Sequence, residues 1–596
     1  MADNYLSREN LKFILYDVHQ LEDLFSQPYF REYSRESVNM MLEAAIDFSD
    51  RELFPYLEEM DRQGIRFKDG EVEIHPQVYK VLRELGESGW IVATLPNGEG
   101  GMQLPHMLYY ITSFIYNAAN NSAIGYTGLT GGAANLIRSF GSDELKDKYA
   151  TKMYQGKWQG TMALTEPQAG SSLSDLTTKA VQQPDGSYKI TGQKIFISGG
   201  DYKDVENVVH LMLARIEGAP LGTKGISLFV VPKKRVIEDN NLVDNDVITT
   251  GVFHKMGQHG YVTTHLMIGE KDNCLGNLVG EANLGLKYMF QMMNDSRIVV
   301  GLTGASIASA AYYASLQYAR ERTQGRNPSS KNVEESPIEI INHADVRRML
   351  FLQKAVVEGS LSLIMECAKY IDLMKVTNGE EKENLELLLE LLTPIAKVYP
   401  TEMGIIAVNN GLQCLGGYGY CIDFPLEQLS RDIRITTLYE GTTGIQSLDL
   451  LGRKMLMQDG KAAKLLWIEI NKTIAEANQF DQTIKYASQL HEALTKYQTI
   501  VQKLTGIAKQ GKTEEFLADA NLFMELSGII TIGWQWLKQG TVACKNQEMG
   551  QSDFLESKIQ TMKYFFTYEL PKIEGLMVTL MEDEIITIKG DKELLV

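Results

Sequence analysis

The feature that most constrains the fold is a change of residue pattern near Gly160. From Gln159 to about Gly276 the chain carries short runs rich in β-branched and aromatic residues, such as SYKITGQKIFISGG, GISLFVVP and YVTTHLMIG. Turn-forming segments, PDGS and GAPLGTKG, separate these runs, which is typical of antiparallel β structure. On both sides of this region apolar residues recur at spacings of three and four, which predicts helices. The sequence therefore predicts an α+β chain, mainly α, with an antiparallel β domain in its middle.

The helical parts divide further at polar and glycine-containing connections. A chain of 596 residues is long enough for roughly three or four structural units. We expect an N-terminal helical lead, an N-terminal α domain, the central β domain, a C-terminal α domain of the four-helix type and an extra helical C-terminal unit. Their expected boundaries are residues 1–35, 36–158, 159–278, 279–458 and 459–596.

Composition excludes several classes of function. The formal net charge is −18 and no arginine follows Arg453, whereas nucleic-acid binding normally requires a basic surface. The five cysteines show no CxxC spacing, so we expect neither a disulfide framework nor a metal site. The N-terminus lacks the apolar core of a signal peptide, and no apolar run approaches the ~20 residues that span a bilayer. We therefore expect a cytoplasmic chain without a transmembrane segment.

The strongest candidate for chemistry is Glu440, in the run TTLYEGTTGIQ. It lies between Tyr439 and Gly441, after the turn GGYGY and before a segment with helical spacing. A carboxylate that is poorly solvated in such a loop has a raised pKa and can act as a base near neutral pH. The alternative is a surface glutamate near a helix start, where the helix dipole favours negative charge.

Two loops of the β region are candidate binding segments. The segment GTMALTEPQAGSS contains Thr165 at the end of an apolar run, followed by Ser171 in a loop that suits an anion or a polar planar ring. In KIFISGG, Phe196 and Ser198 could pack against and hydrogen-bond a flat heterocycle. The alternative for both segments is a loop that merely closes a strand.

Two arginines of the long helical run after Leu284 also stand out. Arg297 lies in an otherwise apolar stretch, and Arg322 ends YARERTQGR. A guanidinium group suits phosphate recognition, although a cation is also favoured at a helix C-terminus without any ligand.

Several common motifs are absent, and one formal match is misleading. The sequence contains no GxGxxG after a strand, no HExxH and no GxSxG. GIAKQGKT, from Gly506 to Thr513, matches the phosphate-loop pattern. That loop must follow a strand, whereas the preceding KYQTIVQKLT has helical spacing. We therefore expect no ATPase site.

Five segments in order, TEPQAGSS, GQKIFISGG, YARERTQGR, LQCLGGYGY and RDIRITTLYEGTTGIQ, together resemble the motif series of acyl-CoA dehydrogenases. The resemblance covers about residues 36–457. The long N-terminal lead and the extra C-terminal unit are similar to an extended bacterial branch of that family.

The resemblance implies FAD-dependent α,β-dehydrogenation of an acyl-CoA thioester to a trans-2-enoyl-CoA in fatty acid β-oxidation. Glu440 would remove the α-proton, the β-hydrogen would leave as hydride to flavin N5, and electron-transferring flavoprotein would accept the electrons. A homodimer would share the FAD sites. The implied FAD contacts are Thr165, Phe196, Ser198, Arg322, Gln413, Gly417 and Thr442. The implied substrate contacts are Ser171, Arg297 and Tyr439.

The sequence departs from the family pattern at a few positions. Phe196 stands where many members have tryptophan, Gln324 where an aromatic residue is usual, and Gly444 where glutamine is frequent. Some branches place the base on the long helix, but the matching residue here is Ser296. Two other functions stay open: an acyl-CoA oxidase that uses O2, and a flavin-bearing DNA-associated relative. The acyl group is not indicated.

Overall fold

The computed structural model describes residues 4–237, 241–329, 332 and 334–590. The chain forms two compact units. Residues 40–104 and 115–296 form one, called the mixed unit here because it contains the large β-sheet. Residues 1–39, 105–114 and 297–596 form the other, called the helical unit.

The mixed unit begins with helices and continues into strands, as the spacing of apolar residues predicts. Its helices are α2 (Arg35–Glu52), α3 (Leu57–Gln63), α4 (Gln77–Glu87), α5 (His106–Phe140, which begins in the helical unit), α6 (Asp143–Leu145) and α7 (Thr151–Tyr154). Its strands are β1 (Arg66–Lys68), β2 (Glu71–Glu73), β3 (Gln159–Ala163), β4 (Lys179–Gln182), β5 (Tyr188–Ser198), β6 (Val208–Ile216), β7 (Ile226–Pro232), β8 (Lys234–Val236), β9 (Leu242–Asp244), β10 (Val247–Val252), β11 (Thr263–Ile268) and β12 (Leu275–Leu278).

Eight strands form one sheet in the order β10-β11-β5-β12-β7-β6-β3, and β4 pairs with both β5 and β6. Most neighbours are antiparallel, as expected, but β6 runs parallel to both β3 and β4. The predicted antiparallel pairing therefore holds for most of this sheet but not for the pairs β3–β6 and β4–β6. Residues 164–178 join β3 to β4, and residues 199–207 join β5 to β6. These connections are longer than tight hairpins, so β6 can run parallel to β3 and β4.

The centre of the sheet explains the most apolar runs of the sequence. All residues of β7 and the first seven of β6 are buried. Strands covered on both faces read as continuous apolar runs instead of alternating ones. NVVHLMLARI and GISLFVVP have this pattern because they are central strands.

The helical unit consists of long helices, with the N-terminal lead packed among them. Its helices are α1 (Arg8–Lys12), α8 (Gly285–Glu321, which begins in the mixed unit), α9 (Ala344–Leu373), α10 (Gly379–Leu415), α11 (Pro425–Ile433), α12 (Thr443–Gly452), α13 (Lys461–Ala477), α14 (Asp481–Lys509), α15 (Thr513–Leu517), α16 (Ala520–Gln547), α17 (Asp553–Tyr564), α18 (Ile573–Met581) and α19 (Ile586–Lys589).

Buried polar contacts attach the C-terminal helices and the N-terminal lead to α9. Lys538 on α16 pairs with Glu366 at 2.6 Å, and Lys558 on α17 pairs with Glu358 at 2.8 Å. His19 of the lead contacts Ser362 at 3.0 Å. An unpaired buried charge is costly, so these partners fix the C-terminal helices in one arrangement on α9.

Two further expectations can be compared with the fold. The GIAKQGKT segment begins in the last turn of α14, so a helix stands where the phosphate-loop pattern requires a strand. Two helical stretches, Gly285–Glu321 and Thr513–Gln547, are long and apolar enough to be candidate membrane spans. Their most apolar windows are 89% and 67% buried within the protein, which is the environment of core helices.

Candidate functional site

Glu440 lies in a short loop between a helical turn over Arg434–Thr437 and helix α12. Its backbone is left-handed, with φ of 54°, and Gly441 follows with φ of 85°. A left-handed conformation is unfavourable for a residue with a side chain and persists only when its surroundings enforce it. The loop therefore holds Glu440 in an orientation that the chain would not adopt by itself.

Three polar side chains enforce this conformation. Gln446, fully buried, donates a hydrogen bond from Nε2 to the carbonyl oxygen of Glu440 at 3.1 Å. Thr442 caps α12 by accepting from the N–H of Ile445 at 3.3 Å. The Thr443 hydroxyl donates to Glu402 of α10. The first turn of α12 is thus held by a hydrogen bond within the turn and by a hydrogen bond to α10.

The carboxylate of Glu440 is partly buried, and within the described chain no hydrogen bond reaches it. Burial raises the pKa of Glu440, while the positive charges of Arg297 and Lys397 act in the opposite direction. A carboxylate without hydrogen-bond donors loses the stabilisation that normally keeps it a weak base. This environment suits a group that accepts a proton near neutral pH.

Arg297 lies on α8 and is only 3% exposed. Its guanidinium pairs with Asp449 of α12 at 3.2 Å, and Asp449 also pairs with Arg453 at 2.7 Å. Arg297 is therefore part of the charged surroundings of Glu440, as its electrostatic effect on that carboxylate shows. Tyr439, next to Glu440, is partly buried.

The residues expected beside a flat ring lie at one end of the sheet in the mixed unit. Phe196 has φ of 57°, is 57% exposed and packs against Phe253 with ring centroids 4.4 Å apart. Ser198 ends β5 opposite Thr263 of β11, and the carbonyl of Thr165 accepts from Ile195 at 2.9 Å. An exposed aromatic ring beside partly buried hydroxyls fits the isoalloxazine ring of FAD.

The loop that carries Thr165 and Ser171 is fixed by a buried ion pair. Glu166 contacts Lys194 at 2.9 Å, and both side chains are fully buried. Burial alone would raise the pKa of Glu166, but the charge of Lys194 and hydrogen bonds from Thr177 and Thr178 lower it to about 2. Burial lowers the pKa of Lys194 to about 8 against the charge of Glu166. Ser171 remains exposed beyond this anchor.

Arg322, Gln413 and Gly417 lie at helix ends. Arg322 follows the last residue of α8 and is exposed, with its guanidinium 3.2 Å from the Gln324 side chain. Gln413 is in the last turn of α10 and Gly417 is in the following turn, and both are exposed. An exposed guanidinium can accept a phosphate, so this position also fits FAD. Within the described residues no hydrogen bond joins these three to the Glu440 loop.

The sequence interpretation missed the groups that hold Glu440 and Glu166. Gln446, Glu402 and Lys397 surround the first, and Lys194 neutralises the second. The only signal for Lys397 and Glu402 was charge within the apolar run PIAKVYPTEMG. No group of three or more His, Cys, Asp or Glu residues suited to a metal ion was found among the described residues.

Comparison with known proteins agrees with this arrangement. Residues 35–157, 161–269 and 283–456 match the family models of the acyl-CoA dehydrogenase N-terminal, middle and C-terminal domains. Residues 466–588 match a model described as acetyl-CoA dehydrogenase C-terminal like.

Curated relatives and solved structures extend over most of the chain. The chain is 37% identical to 3-methylmercaptopropionyl-CoA dehydrogenase of Ruegeria pomeroyi, over 85% of each chain. It is 32% identical to a butyryl-CoA dehydrogenase of Syntrophomonas wolfei, over 96% of each. Its fold is similar to that of a Bacillus anthracis acyl-CoA dehydrogenase complexed with FAD, with a TM-score of 0.74, 21% identity, and coverage of 94% of this chain and 91% of that one.

The fold class expected from the sequence, with N-terminal helices, a middle β domain, C-terminal helices and an extra helical unit, is confirmed. The expected reaction class, α,β-dehydrogenation of an acyl-CoA with FAD as cofactor, is supported by the same relatives. The chain belongs to the acyl-CoA dehydrogenase family of FAD-dependent oxidoreductases.

Proposed function

We propose that Glu440 is the base of this acyl-CoA dehydrogenase and removes the α-proton of the bound thioester. The observation that carries this proposal is a partly buried carboxylate that is held in a left-handed loop and receives no hydrogen bond from any described residue. A paired carboxylate would already be stabilised as the anion and would gain little from accepting a proton.

The chain's own residues prepare that step. Arg297 and Lys397 favour the ionised form of Glu440 and so oppose the rise in its pKa that burial causes. An acyl-CoA bound against the loop would exclude more water and raise the pKa of Glu440 further, which increases its basicity. When bound, FAD would supply the acceptor for the hydride that leaves the β-carbon.

The remaining expected residues keep their assignments as part of the proposal. Phe196, Ser198 and Thr165 would hold the flavin ring, with Thr442 beside it. Arg322 would bind the pyrophosphate, and the exposed Gln413 and Gly417 would face the FAD of a second copy. Ser171, Arg297 and Tyr439 would contact the acyl-CoA. The boundaries at residues 35, 158, 278 and 458 belong to the same proposal.

In the first experiment an acyl-CoA reduces the purified holoenzyme under anaerobic conditions, and the loss of flavin absorbance measures the rate of reduction. Glu440→Gln should keep FAD and ligand binding but reduce flavin at least ~10²-fold more slowly. Glu386→Gln, an exposed glutamate on α10, is the matched control and should behave as wild type. Near-normal reduction by the Glu440→Gln enzyme would remove Glu440 from this role.

We further propose a short acyl group, a homodimer, a cytoplasmic location, a place in β-oxidation and electron-transferring flavoprotein as acceptor. Both curated relatives above are named for short acyl thioesters, which supports the first point. Rates across short to long acyl-CoA thioesters, with a 3-methylthio member, test it. Sedimentation tests the dimer. Peroxide formed without added acceptor would instead identify an oxidase.

A further inference from the structure

Lys397 is a fully buried lysine on helix α10, close to the Glu440 loop. Its ammonium group has no hydrogen-bond partner within the described part of the chain. Thr401, one turn later, bonds back to the carbonyl oxygen of Lys397 at 3.0 Å. The backbone of Lys397 is therefore held within α10. Its ammonium group makes no hydrogen bond to any described residue.

The packing of α8 on α10 places Lys397 among the charges of the site. Gly301 approaches so closely that a Cβ there would overlap the carbonyl of Ala396 and lie 3.3 Å from the Cα of Lys397. Arg297, one turn before Gly301, extends from the same part of α8. Because α8 and α10 pack together at Gly301, Arg297 and Lys397 both lie near the point where these two helices cross.

The charged groups that act on Lys397 come from three elements. They are Glu402 on its own helix, Glu440 before α12, and Arg297 on α8. Glu402 already accepts from Thr443, and Arg297 repels the ammonium group. Burial lowers the pKa of Lys397 to about 8, and the charges of Glu402 and Glu440 oppose this shift. Of the two acids, Glu440 is the one whose carboxylate receives no hydrogen bond from the described part of the chain.

The other fully buried lysines of the helical unit show what a structural role looks like. Lys558 donates hydrogen bonds to both Glu358 and Asn10. Lys454 has an ion-pair partner in Glu390, although its ammonium group, like that of Lys397, makes no hydrogen bond among the described residues. Burying a charge without such a partner costs several kcal/mol, and methionine could fill a similar volume without that cost. A buried lysine without a hydrogen-bond or ion-pair partner among the described residues therefore points to a function of its charge.

We propose that Lys397 is a positioning residue whose charge keeps the Glu440 carboxylate ionised and directed into the site before substrate binds. The proposal rests on the function assigned to Glu440. Arg297 contributes charge as well, but its ion pair with Asp449 offsets part of it. Lys397 interacts with Glu402 as well as Glu440, but among the described residues its ammonium group makes no hydrogen bond to either acid.

The test uses the Lys397→Met holoenzyme and the rate of anaerobic flavin reduction by butyryl-CoA across pH. Loss of the positive charge should raise the pKa of Glu440. The acidic limb of the profile of flavin reduction rate against pH should therefore move upward by about one pH unit. A second measurement avoids turnover: the infrared C=O band of the protonated Glu440 carboxyl, identified by its absence from Glu440→Gln, should titrate with the same shift.

Two variants serve as controls. Lys454→Met removes a buried lysine whose pKa is lowered to about 8 by burial and by the charge of Arg297, and which is not among the charges that act on Glu440, so the acidic limb of its rate–pH profile should stay in place. Lys397→Arg keeps the charge and should also leave the limb in place.

The inference would be overturned if Lys397→Met left both the acidic limb of the rate–pH profile and the infrared titration of Glu440 unchanged. It would also be overturned if Lys454→Met shifted them equally. Loss of FAD binding in both Lys397→Met and Lys397→Gln would overturn it too, because Lys397 would then be structural. An inactive Glu440→Gln enzyme with an unshifted Lys397→Met profile would remove only the role of Lys397. A fully active Glu440→Gln enzyme would remove the proposed function itself.

Discussion

Glu166 and Glu440 are both withdrawn from water, one in the mixed unit and one in the helical unit, and their pKa values move in opposite directions. Lys194 and the residues 177–178 surround Glu166 with donors, and its pKa falls to about 2. Glu440 has cations nearby, but no described residue donates a hydrogen bond to its carboxylate, and its pKa rises.

The difference shows how the same side chain can serve structure or chemistry. Full pairing makes Glu166 a fixed anion that anchors the loop of Thr165. Incomplete pairing leaves Glu440 able to change its protonation state, at a cost in stability. Burial alone does not indicate a base; the missing hydrogen bonds do.

The largest expected effect tests whether Glu166 is structural. Lys194→Met should destabilise the protein by roughly 3–5 kcal/mol, because it leaves a buried carboxylate without its counter-charge. Calorimetric or denaturant unfolding of the holoenzyme measures this loss. The double variant Lys194→Met with Glu166→Gln should regain part of it, since both charges are then absent. A loss under about 1 kcal/mol would show that Glu166 is not held by this pair.

Acid should weaken the Glu166 anchor in a defined window. Its folded pKa of about 2 lies below the ordinary value of 4.5, so its contribution is fully present above pH 4.5 and is lost as pH falls toward 2. The shift corresponds to roughly 3 kcal/mol. The stability gap between wild type and Glu166→Gln, measured from pH 7 to pH 3, should therefore narrow only below 4.5. A constant gap would contradict the low pKa.

A smaller effect tests the backbone that presents Glu440. Gly441→Ala should cost about 1–2 kcal/mol of stability, because a side chain is unfavourable at φ of 85°. The new Cβ would also lie 2.5 Å from Gln446 Nε2, so flavin reduction should slow as the hydrogen bond to Glu440 is displaced. Gly170, in the loop that Glu166 anchors, has its nearest contact at 3.9 Å and no left-handed φ. Gly170→Ala should leave the unfolding temperature nearly unchanged.

The smallest effect has the opposite sign. A raised pKa means that the ionised Glu440 destabilises the folded enzyme at pH values above that pKa, and that the penalty disappears below 4.5. Glu440→Gln should therefore keep or slightly raise the unfolding temperature at pH 8, by an amount equivalent to less than about 1 kcal/mol. Glu166→Gln should lower it under the same conditions. An equal fall of the unfolding temperature in Glu440→Gln and Glu166→Gln would show that the two carboxylates do not differ in their effect on stability.

Much of the fold could be predicted because it depends on local patterns. Spacings of three and four indicated the helices, and β-branched runs indicated the strands between Gln159 and Gly276. The mixed pairing of β6 could not be predicted, because parallel and antiparallel partners can require the same apolar residues. The helical spacing predicted before the phosphate-loop match is confirmed as α14.

The site was predictable in part. The run TTLYEGTTGIQ singled out Glu440, and the family motifs singled out the exposed Phe196. The side chains that hold and bias Glu440 come from positions 297, 397, 402 and 446, and spacing in the sequence does not bring them together.

The sequence by itself determined the order of helices and strands, the motif series and the identity of the candidate base. Only the tertiary structure decided which buried charges have partners, and so which carboxylate is an anchor and which can take up a proton. The physical reason is that desolvation and charge–charge interactions depend on distances between residues far apart in the chain. Periodicity describes neighbours along the chain and contains no such distances.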